Sequence, residues 1–125
     1  MEQESCNKLT TFCPNYHRAV ELVGRRWTGA ILRALLADVC RFNELAATVP
    51  GLSDRMLAER LRELESEGLV LRKVIPTSPV RVEYTLTEKG RALESVVRAL
   101  AGWAETWANE PSKLDDESTV TAHPR

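Results

Sequence analysis

The side chains of this sequence best suited to chemistry are thiol and imidazole groups near its N-terminus. Cys13 directly precedes Pro14, a residue typical of the first turn of a helix, and His17 and Arg18 follow within that turn. A helix N-terminus and neighbouring cations lower the pKa of a thiol, so the pattern predicts a cysteine that oxidants or electrophiles can modify. The alternative is that Cys13 is a small, half-buried residue packed in a subunit interface.

An enzymatic or metal-binding role for the same residues has little support. A nucleophilic Cys13 with His17 as its base would need a third group to orient the imidazole and an oxyanion site, and neither is recognisable. Zinc held by Cys6, Cys13 and His17 would need an unusual ligand spacing and lacks a fourth ligand. The sequence also has no glycine-rich phosphate loop. We therefore expect no catalytic activity, no metal and no cofactor.

The composition is typical of one compact globular domain. Hydrophobic residues make up 43% of the 125 residues, and no apolar run approaches the roughly 20 residues of a membrane-spanning helix. The N-terminal segment is polar and acidic, unlike a signal peptide, and three cysteines are too few for a secreted disulfide scaffold. These features predict a cytoplasmic protein with no membrane partner.

Hydrophobic periodicity predicts four helices in the first half of the chain. They span about Asn15 to Gly24, Trp27 to Leu36, a short stretch around Phe42 to Ala46 that ends at Val49-Pro50-Gly51, and Ser53 to Gly68. In the last of these, Ser53 has the chemistry of an N-cap and Gly68 that of a C-terminal stop. The residues expected on the buried sides of the second and fourth helices are Trp27, Ile31, Leu32, Leu35, Leu36, Leu57, Leu61 and Leu64.

The pattern then changes to the period of two that is typical of strands. Leu69, Leu71 and Ile75 alternate with Val70, Arg72 and Val74, and Val80, Val82, Tyr84 and Leu86 form a second run after the turn Pro76-Thr-Ser-Pro79. Two such runs around a proline-rich turn predict a β-hairpin. A last helix is expected from Thr87, with one apolar stripe made of Leu93, Val96, Val97, Leu100, Trp103, Ala104 and Trp107.

This order of elements predicts a mainly α, α+β fold, the winged helix-turn-helix, with additional N- and C-terminal helices. In such a fold one helix enters the major groove of DNA and the hairpin, or wing, approaches the neighbouring backbone or minor groove. Arg55 suits a bidentate contact with guanine, and Glu59 could accept a hydrogen bond from cytosine. The residues predicted to contact DNA are Arg41, Ser53, Arg55, Met56, Glu59, Arg62, Arg72, Lys73, Thr77, Ser78 and Arg81.

The net charge of -1 does not exclude a DNA partner, because the charges are unevenly distributed. Basic residues outnumber acidic ones between positions 18 and 98, and the acidic excess lies at the two ends. Two other interpretations of the fourth helix stay open. Its charged residues could form a solvated face of ion pairs, or Glu59, Glu63 and Glu65 could dock another protein.

Motifs along most of the chain also resemble a known family. The motifs that carry the resemblance are Cys13-Pro14, Gly24-Arg-Arg-Trp27, Arg41-Phe42, Pro50-Gly51-Leu-Ser53, Met56-Leu57-Ala-Glu-Arg60-Leu61-Arg62-Glu63-Leu64-Glu65, Gly68-Leu69-Val70 and Pro79-Val-Arg81-Val-Glu-Tyr84-Thr-Leu-Thr87. With these motifs, the sequence from Cys13 to Trp107 resembles the HxlR family of bacterial winged-helix regulators, including its thiol-sensing, MarR-related members.

The resemblance implies a homodimer that binds a palindromic, inverted-repeat operator in double-stranded DNA, usually as a repressor. Two exposed indoles would be costly in a monomer, which independently favours a dimer. The expected interface residues are Val20, Leu93, Val96, Val97, Leu100, Trp103 and Trp107. The expected boundaries are a flexible arm at 1–12, a winged-helix DNA-binding and dimerisation domain at 13–109, and a disordered acidic tail at 110–125.

The resemblance further implies that Cys13 occupies the position of a thiol sensor, which an electrophile could modify. Thiol-sensing relatives often carry a second cysteine in the last helix, and this chain has none after Cys40. A disulfide of Cys13 would therefore join it to Cys6, to Cys40 or to a second Cys13. A regulator without redox chemistry, which takes a small apolar effector beside Trp27, Trp103 or Trp107, is the alternative.

Overall fold

The computed structural model describes residues 8–9 and 11–108. The predicted acidic tail and most of the predicted N-terminal arm, including Cys6, lie outside the described residues. The chain divides into two compact units, 1–94 and 95–125. The elements are α1 (Pro14–Val23), α2 (Thr28–Leu36), α3 (Phe42–Thr48), α4 (Asp54–Ser66), β1 (Val70–Ile75), β2 (Arg81–Leu86), α5 (Glu88–Arg91) and α6 (Glu94–Thr106).

The junction between α1 and α2 is a sharp turn centred on Trp27. Sequence periodicity predicts that α2 begins at this residue, but Trp27 has a left-handed backbone with φ of 78°, and the helix begins at Thr28. The indole is only half-buried, and the guanidinium carbon of Arg26 lies 4.9 Å from the ring centroid. Trp27 is therefore the N-cap residue of α2 and not part of the buried stripe of that helix.

The helix-turn-helix unit is formed by α3, a tight turn and α4. Gly51 has φ of 86°, a left-handed conformation that glycine adopts without the steric cost of a Cβ. The Ser53 side-chain oxygen then accepts a hydrogen bond from the Met56 backbone N–H at 3.1 Å, as expected of an N-cap. At the other end of α4, Gly68 has φ of 79° and closes the helix as predicted.

One apolar core lies beneath α2, α3, α4 and the hairpin. The residues that the sequence predicts to be buried on α2 and α4 lie in it, except Trp27 and Leu36, which are half-buried. The fully buried large side chains are Ile31, Leu32, Leu45, Leu57, Leu61, Leu64 and Val70. The core fixes the rotation of α4, so that the side opposite its leucines faces outward.

The hairpin pairs β1 and β2 in an antiparallel register from Val70 opposite Leu86 to Ile75 opposite Arg81. The Tyr84 N–H donates to the Cys40 carbonyl at 2.8 Å, and Arg41 forms an isolated bridge with Glu83. The connection between α2 and α3 therefore lies along the free edge of β2. This contact ties the wing to the start of α3.

The single last helix that the sequence predicts is two helices. Thr87 is the N-cap of α5, where its side-chain oxygen accepts from the Gly90 N–H at 3.1 Å, but α5 ends at Arg91 and α6 begins at Glu94. A Cβ at position 90 would overlap the carbonyl oxygen of Leu69, so α5 is packed directly onto the start of the wing. The Leu93 N–H donates to the Gly90 carbonyl, and this hydrogen bond of the 3₁₀ type follows the end of α5.

The second compact unit contains an amphipathic α6. None of the thirteen residues of α6 is buried, and its apolar stripe includes Leu100 and Trp103, which are 66% and 65% exposed. Across the described part of the chain, no helix is long and apolar enough to cross a membrane. The same residues contain no group of three His, Cys, Asp or Glu side chains that could hold a metal ion.

Candidate nucleic-acid interface

The leading end of α4 presents the predicted base-reading residues to solvent. Ser53 and Arg55 are exposed at the N-terminus of α4, whereas Met56 is half-buried against the core. Arg55 is thus a cation at the end of a capped, rigid helix, with no described ion pair to hold it elsewhere. A guanidinium in this position can offer two parallel N–H donors to a guanine edge.

Two other predicted readers, Glu59 and Arg62, lie farther along α4 in a different environment. They line a groove of about 570 Å³ together with Arg18, Glu21 and Arg25 of the α1 region. Charges of both signs therefore line this groove. Structure and sequence agree that Arg62 is exposed, but its neighbours are the acidic and basic side chains of α1 as well as solvent.

The basic residues of the wing lie on both faces of the hairpin. In the observed register Lys73 is opposite Glu83 and Ile75 is opposite Arg81, so Lys73 and Arg81 share one face. Arg72 is opposite Tyr84 on the other face, which carries buried Val70 and Leu86 at its inner end. The sequence places Arg72, Lys73 and Arg81 around the hairpin tip. Because successive residues of a strand point to opposite faces, the structure distributes these three cations over both faces of the hairpin.

The wing tip and the start of α3 enclose a second cavity, of about 750 Å³. Four of the predicted DNA-contacting residues line it, namely Arg41, Thr77, Ser78 and Arg81. At the tip, the Thr77 hydroxyl donates to the Pro79 carbonyl at 2.7 Å. The Ser78 hydroxyl and the guanidinium groups of Arg41 and Arg81 are donors on the walls of this cavity, and they suit an oxyanion such as a DNA phosphate.

A buried arginine on α4 was not singled out by the sequence analysis. The Arg60 Nε donates to the Arg26 carbonyl at 3.0 Å, and its Nη1 donates to Glu63 Oε2 at 3.0 Å. Glu63 also lies 3.4 Å from Arg25 Nη2. Arg60 therefore joins α4 to the turn between α1 and α2. The signal was available, because position 60 lies three residues after Leu57 and four before Leu64, on the apolar stripe.

Cys13 is the N-cap of α1 and is buried. Its Sγ accepts a hydrogen bond from the Tyr16 backbone N–H at 3.3 Å, and Cys13 is disulfide-bonded in this structure. Beside it lies a pocket of about 440 Å³ with mainly apolar walls, which include Leu9, Phe12 and Tyr16. The His17 ring lies 5.5 Å from the Phe12 ring and its Nε2 lies 3.7 Å from Glu21 Oε2.

Cys40, by contrast, is a free thiol at the root of the wing. Burial raises the pKa of Cys40, and the carboxylates of Glu83 and Glu44 raise it further, against the opposing effect of Arg41 and Arg81. The Cys40 thiol is therefore a weaker acid than an ordinary cysteine.

The predicted interface residues are mostly exposed in the single chain. They include Val20 on α1 and Val96, Leu100, Trp103 and Trp107 in the second unit, while Leu93 and Val97 are half-buried. The exposed side chains on α1 and in the second unit are thus accessible to a partner molecule.

A family model described as HxlR-like helix-turn-helix matches residues 22–112. The chain belongs to this family. The HTH-type transcriptional regulator YvaP of Bacillus subtilis is 48% identical over 103 residues, which are 82% of this chain and 94% of that protein. The HTH-type transcriptional regulator YodB of the same organism is 43% identical over 107 residues, 86% of this chain and 96% of YodB.

Solved structures of related family members have the same fold. The reduced form of the transcriptional regulator YodB matches with a TM-score of 0.70 and 44% identity, covering 82% of this chain and all of that one. A quinone-bound structure of YodB matches with a TM-score of 0.65 and 44% identity, over 76% and 99% of the two chains. The redox regulator HypR, in its reduced form, matches with a TM-score of 0.70 and 36% identity, over 76% and 94%.

These comparisons confirm the predicted family and the predicted winged-helix fold. The similar proteins are named as transcriptional regulators, which agrees with the expectation that this family member is not an enzyme.

Proposed function

We propose that this HxlR-family member is a homodimeric transcription regulator that recognises an inverted repeat in double-stranded DNA and acts as a repressor. The observation that carries the proposal is the pairing of a capped α4, with Arg55 exposed at its leading end, and a wing cavity lined by Arg41 and Arg81. The first element suits base reading and the second suits backbone contact.

In this proposal the helix and the wing have different energetic roles. The α4 surface carries both signs of charge around Glu59 and Arg62, so it contributes little net attraction to DNA. Phosphate contacts supply most of the sequence-independent affinity of DNA-binding proteins. Arg41, Arg81 and Lys73 therefore anchor the protein, while Arg55 selects the site.

The exposed apolar stripe of α6 supports the homodimer. Leu100 and Trp103 on α6, together with Trp107 directly after it, expose more apolar surface than a monomer of this size usually presents to water. Pairing of two such chains would bring two copies of α4 to successive major grooves, which matches a twofold-symmetric operator.

A comparison of two arginine variants tests the proposed DNA contacts. Arg55→Ala is expected to lose about 1–3 kcal/mol of operator affinity and to relax sequence preference, whereas Arg81→Ala should weaken binding to all sequences similarly. The measurement is an electrophoretic shift with palindromic fragments from the gene's own promoter region and with random fragments, at several salt concentrations.

The exposed Arg33 of α2 provides a matched control, since Arg33→Ala removes the same charge outside the proposed interface. The regulator proposal fails if the unmodified protein shows no preference for any such fragment over random DNA at moderate salt. Equal losses on every sequence from Arg55→Ala and Arg81→Ala would remove the base-reading role of Arg55.

We further propose that modification of reduced Cys13 releases the protein from DNA. The support is the N-cap hydrogen bond from the Tyr16 N–H to the sulfur, the apolar pocket beside it, and the reduced and quinone-bound structures of the relative YodB. A helix N-terminus favours the thiolate form. The thiolate adds to an electron-poor carbon of a quinone-type electrophile, a C–S bond forms, and the electron pair and a proton end on the ring oxygen.

The thiol proposal is tested on protein reduced before the assay. A quinone is expected to abolish operator binding by the unmodified protein, while Cys13→Ser binds normally and stays bound; Cys40→Ser, the control, should be released like the unmodified protein. Release of Cys13→Ser by the same reagent would contradict the proposal. A nonreactive apolar analogue that releases both proteins would favour an effector pocket without redox chemistry.

A further inference from the structure

Glu83 stands among the basic residues of the wing. On the face of the hairpin that carries Lys73 and Arg81, Glu83 is the register partner of Lys73 on one side and of Arg41 on the other. Directly opposed residues of antiparallel strands have Cβ atoms roughly 4.5–5.5 Å apart, and residues two apart on a strand share a face. One carboxylate thus lies among three cations on a single surface.

The closest of these contacts is the ion pair with Arg81. The Arg81 Nε lies 3.3 Å from Glu83 Oε2, with side chains 41% and 21% exposed. The Nε itself is buried and makes no well-aligned hydrogen bond within the described structure, so its interaction with Glu83 is mainly electrostatic. Partly buried pairs are screened by salt less than exposed ones, so the carboxylate offsets a substantial part of the Arg81 charge.

The charge of Glu83 also acts on a side chain other than its ion-pair partner Arg81. Glu83 is the foremost charge that raises the pKa of the Cys40 thiol, after burial, and Arg41 and Arg81 act on the same thiol in the opposite direction. Arg41 and Arg81 line the cavity between the wing tip and α3, where a phosphate would meet them. Glu83 and the DNA backbone therefore compete for the Arg81 guanidinium, which lines the cavity together with Arg41.

We propose that Glu83 is an internal counter-charge that limits the sequence-independent affinity of the wing for DNA phosphates. This inference rests on the proposed DNA-binding function. With Glu83 present, Arg81 and Arg41 attract any duplex only weakly, and stable binding requires the base contacts of α4. Without it, the wing holds DNA of any sequence more tightly.

The test is Glu83→Gln in the full-length protein, with binding to a random duplex measured by fluorescence anisotropy across a KCl titration. Each additional phosphate neutralised steepens the dependence of log K on log salt by about 0.9. We expect Glu83→Gln to bind random DNA several-fold more tightly at low salt, with a slope steeper by up to about 0.9. Glu83→Asp, which keeps the charge, should retain the slope of the unmodified protein.

Two further variants separate this effect from others. Glu83→Gln combined with Arg81→Ala should lose the gain, because Arg81 is the cation that is released. Glu88→Gln removes an exposed carboxylate at the start of α5 and should leave the slope unchanged. If Glu83→Gln folds poorly, Glu83→Thr makes the same change of charge with a residue favoured in strands, and its slope must steepen in the same way.

An unchanged slope, or weaker binding by Glu83→Gln, would overturn the inference, and weaker binding would instead identify Glu83 as a residue that holds the arginines in place. Loss of operator preference in the unmodified protein is a separate result that concerns the proposed function alone.

Discussion

Arg60 shows how a buried charge can be accommodated on the helix that is proposed to read DNA. Its guanidinium is almost fully removed from water, where an unpaired charge would cost several kcal/mol. One nitrogen satisfies the Arg26 carbonyl at the sharp turn before Trp27, and another pairs with Glu63. Removing Arg60 would therefore leave a carbonyl without its donor as well as an unfilled space in the core.

At the same scale, the raised pKa of Cys40 makes its reactivity sensitive to pH and to Glu83. Because burial and Glu83 disfavour the thiolate, Cys40 in the folded protein should alkylate more slowly at pH 8 than in urea, and the difference should shrink as pH rises. Glu83→Gln is expected to accelerate the reaction in the folded protein. Iodoacetamide labelling followed by peptide mass spectrometry reports Cys40 separately from the other cysteines.

Glu65→Gln, at an exposed position of α4 and not among the charges that act on Cys40, is the matched control and should leave the labelling rate unchanged. Faster labelling of Cys40 in the folded than in the unfolded protein would contradict the direction of the pKa shift.

At the scale of elements, local signals determine most of the structure. Ser53 and Gly68 mark the ends of α4 correctly because caps depend on a few adjacent residues. The periodicity of apolar residues does not reveal the break between α5 and α6, or the close packing of Gly90 against the Leu69 carbonyl, far away in sequence. The division of the wing cations follows from strand register, which composition alone does not specify.

The cap of α4 is itself open to test. Ser53→Ala removes the acceptor for the Met56 N–H and is expected to lower the free energy of unfolding by about 1 kcal/mol, as measured by urea denaturation. Operator affinity should fall as well, because Arg55 is placed by the first turn of α4. Ser66→Ala, at the exposed last residue of the same helix, should leave stability nearly unchanged. Equal stability of Ser53→Ala and the unmodified protein would show that the cap contributes nothing.

At the scale of the whole molecule, the sequence predicts an apolar stripe that is left exposed in a single chain. Its members were recognisable from helical spacing, and the structure leaves Leu100, Trp103 and Trp107 exposed. What covers them could not be derived from the spacing, because the periodicity of a helix identifies an apolar face without identifying its partner.

The proposed dimer predicts that Trp103→Arg dissociates the protein. A charged side chain in place of a buried indole would be strongly unfavourable in the interface but acceptable on an exposed helix. We expect a monomer at micromolar concentration in sedimentation equilibrium, with operator affinity reduced far more than affinity for random DNA. Leu71→Ala, which shortens a 59% exposed apolar residue on the wing, should stay dimeric. A Trp103→Arg protein that sediments as the unmodified one would exclude α6 from the interface.

The exposed stripe on α6 also has a consequence for gene dosage. In the proposed function, two chains must associate before either α4 binds its half-site stably. Where most of the protein is monomeric, the concentration of dimer then rises with the square of the amount of chain. Operator occupancy would then respond steeply to expression level, because halving the amount of chain lowers the concentration of free dimer to about a quarter. A weak interface would thereby set the protein concentration above which the operator becomes occupied.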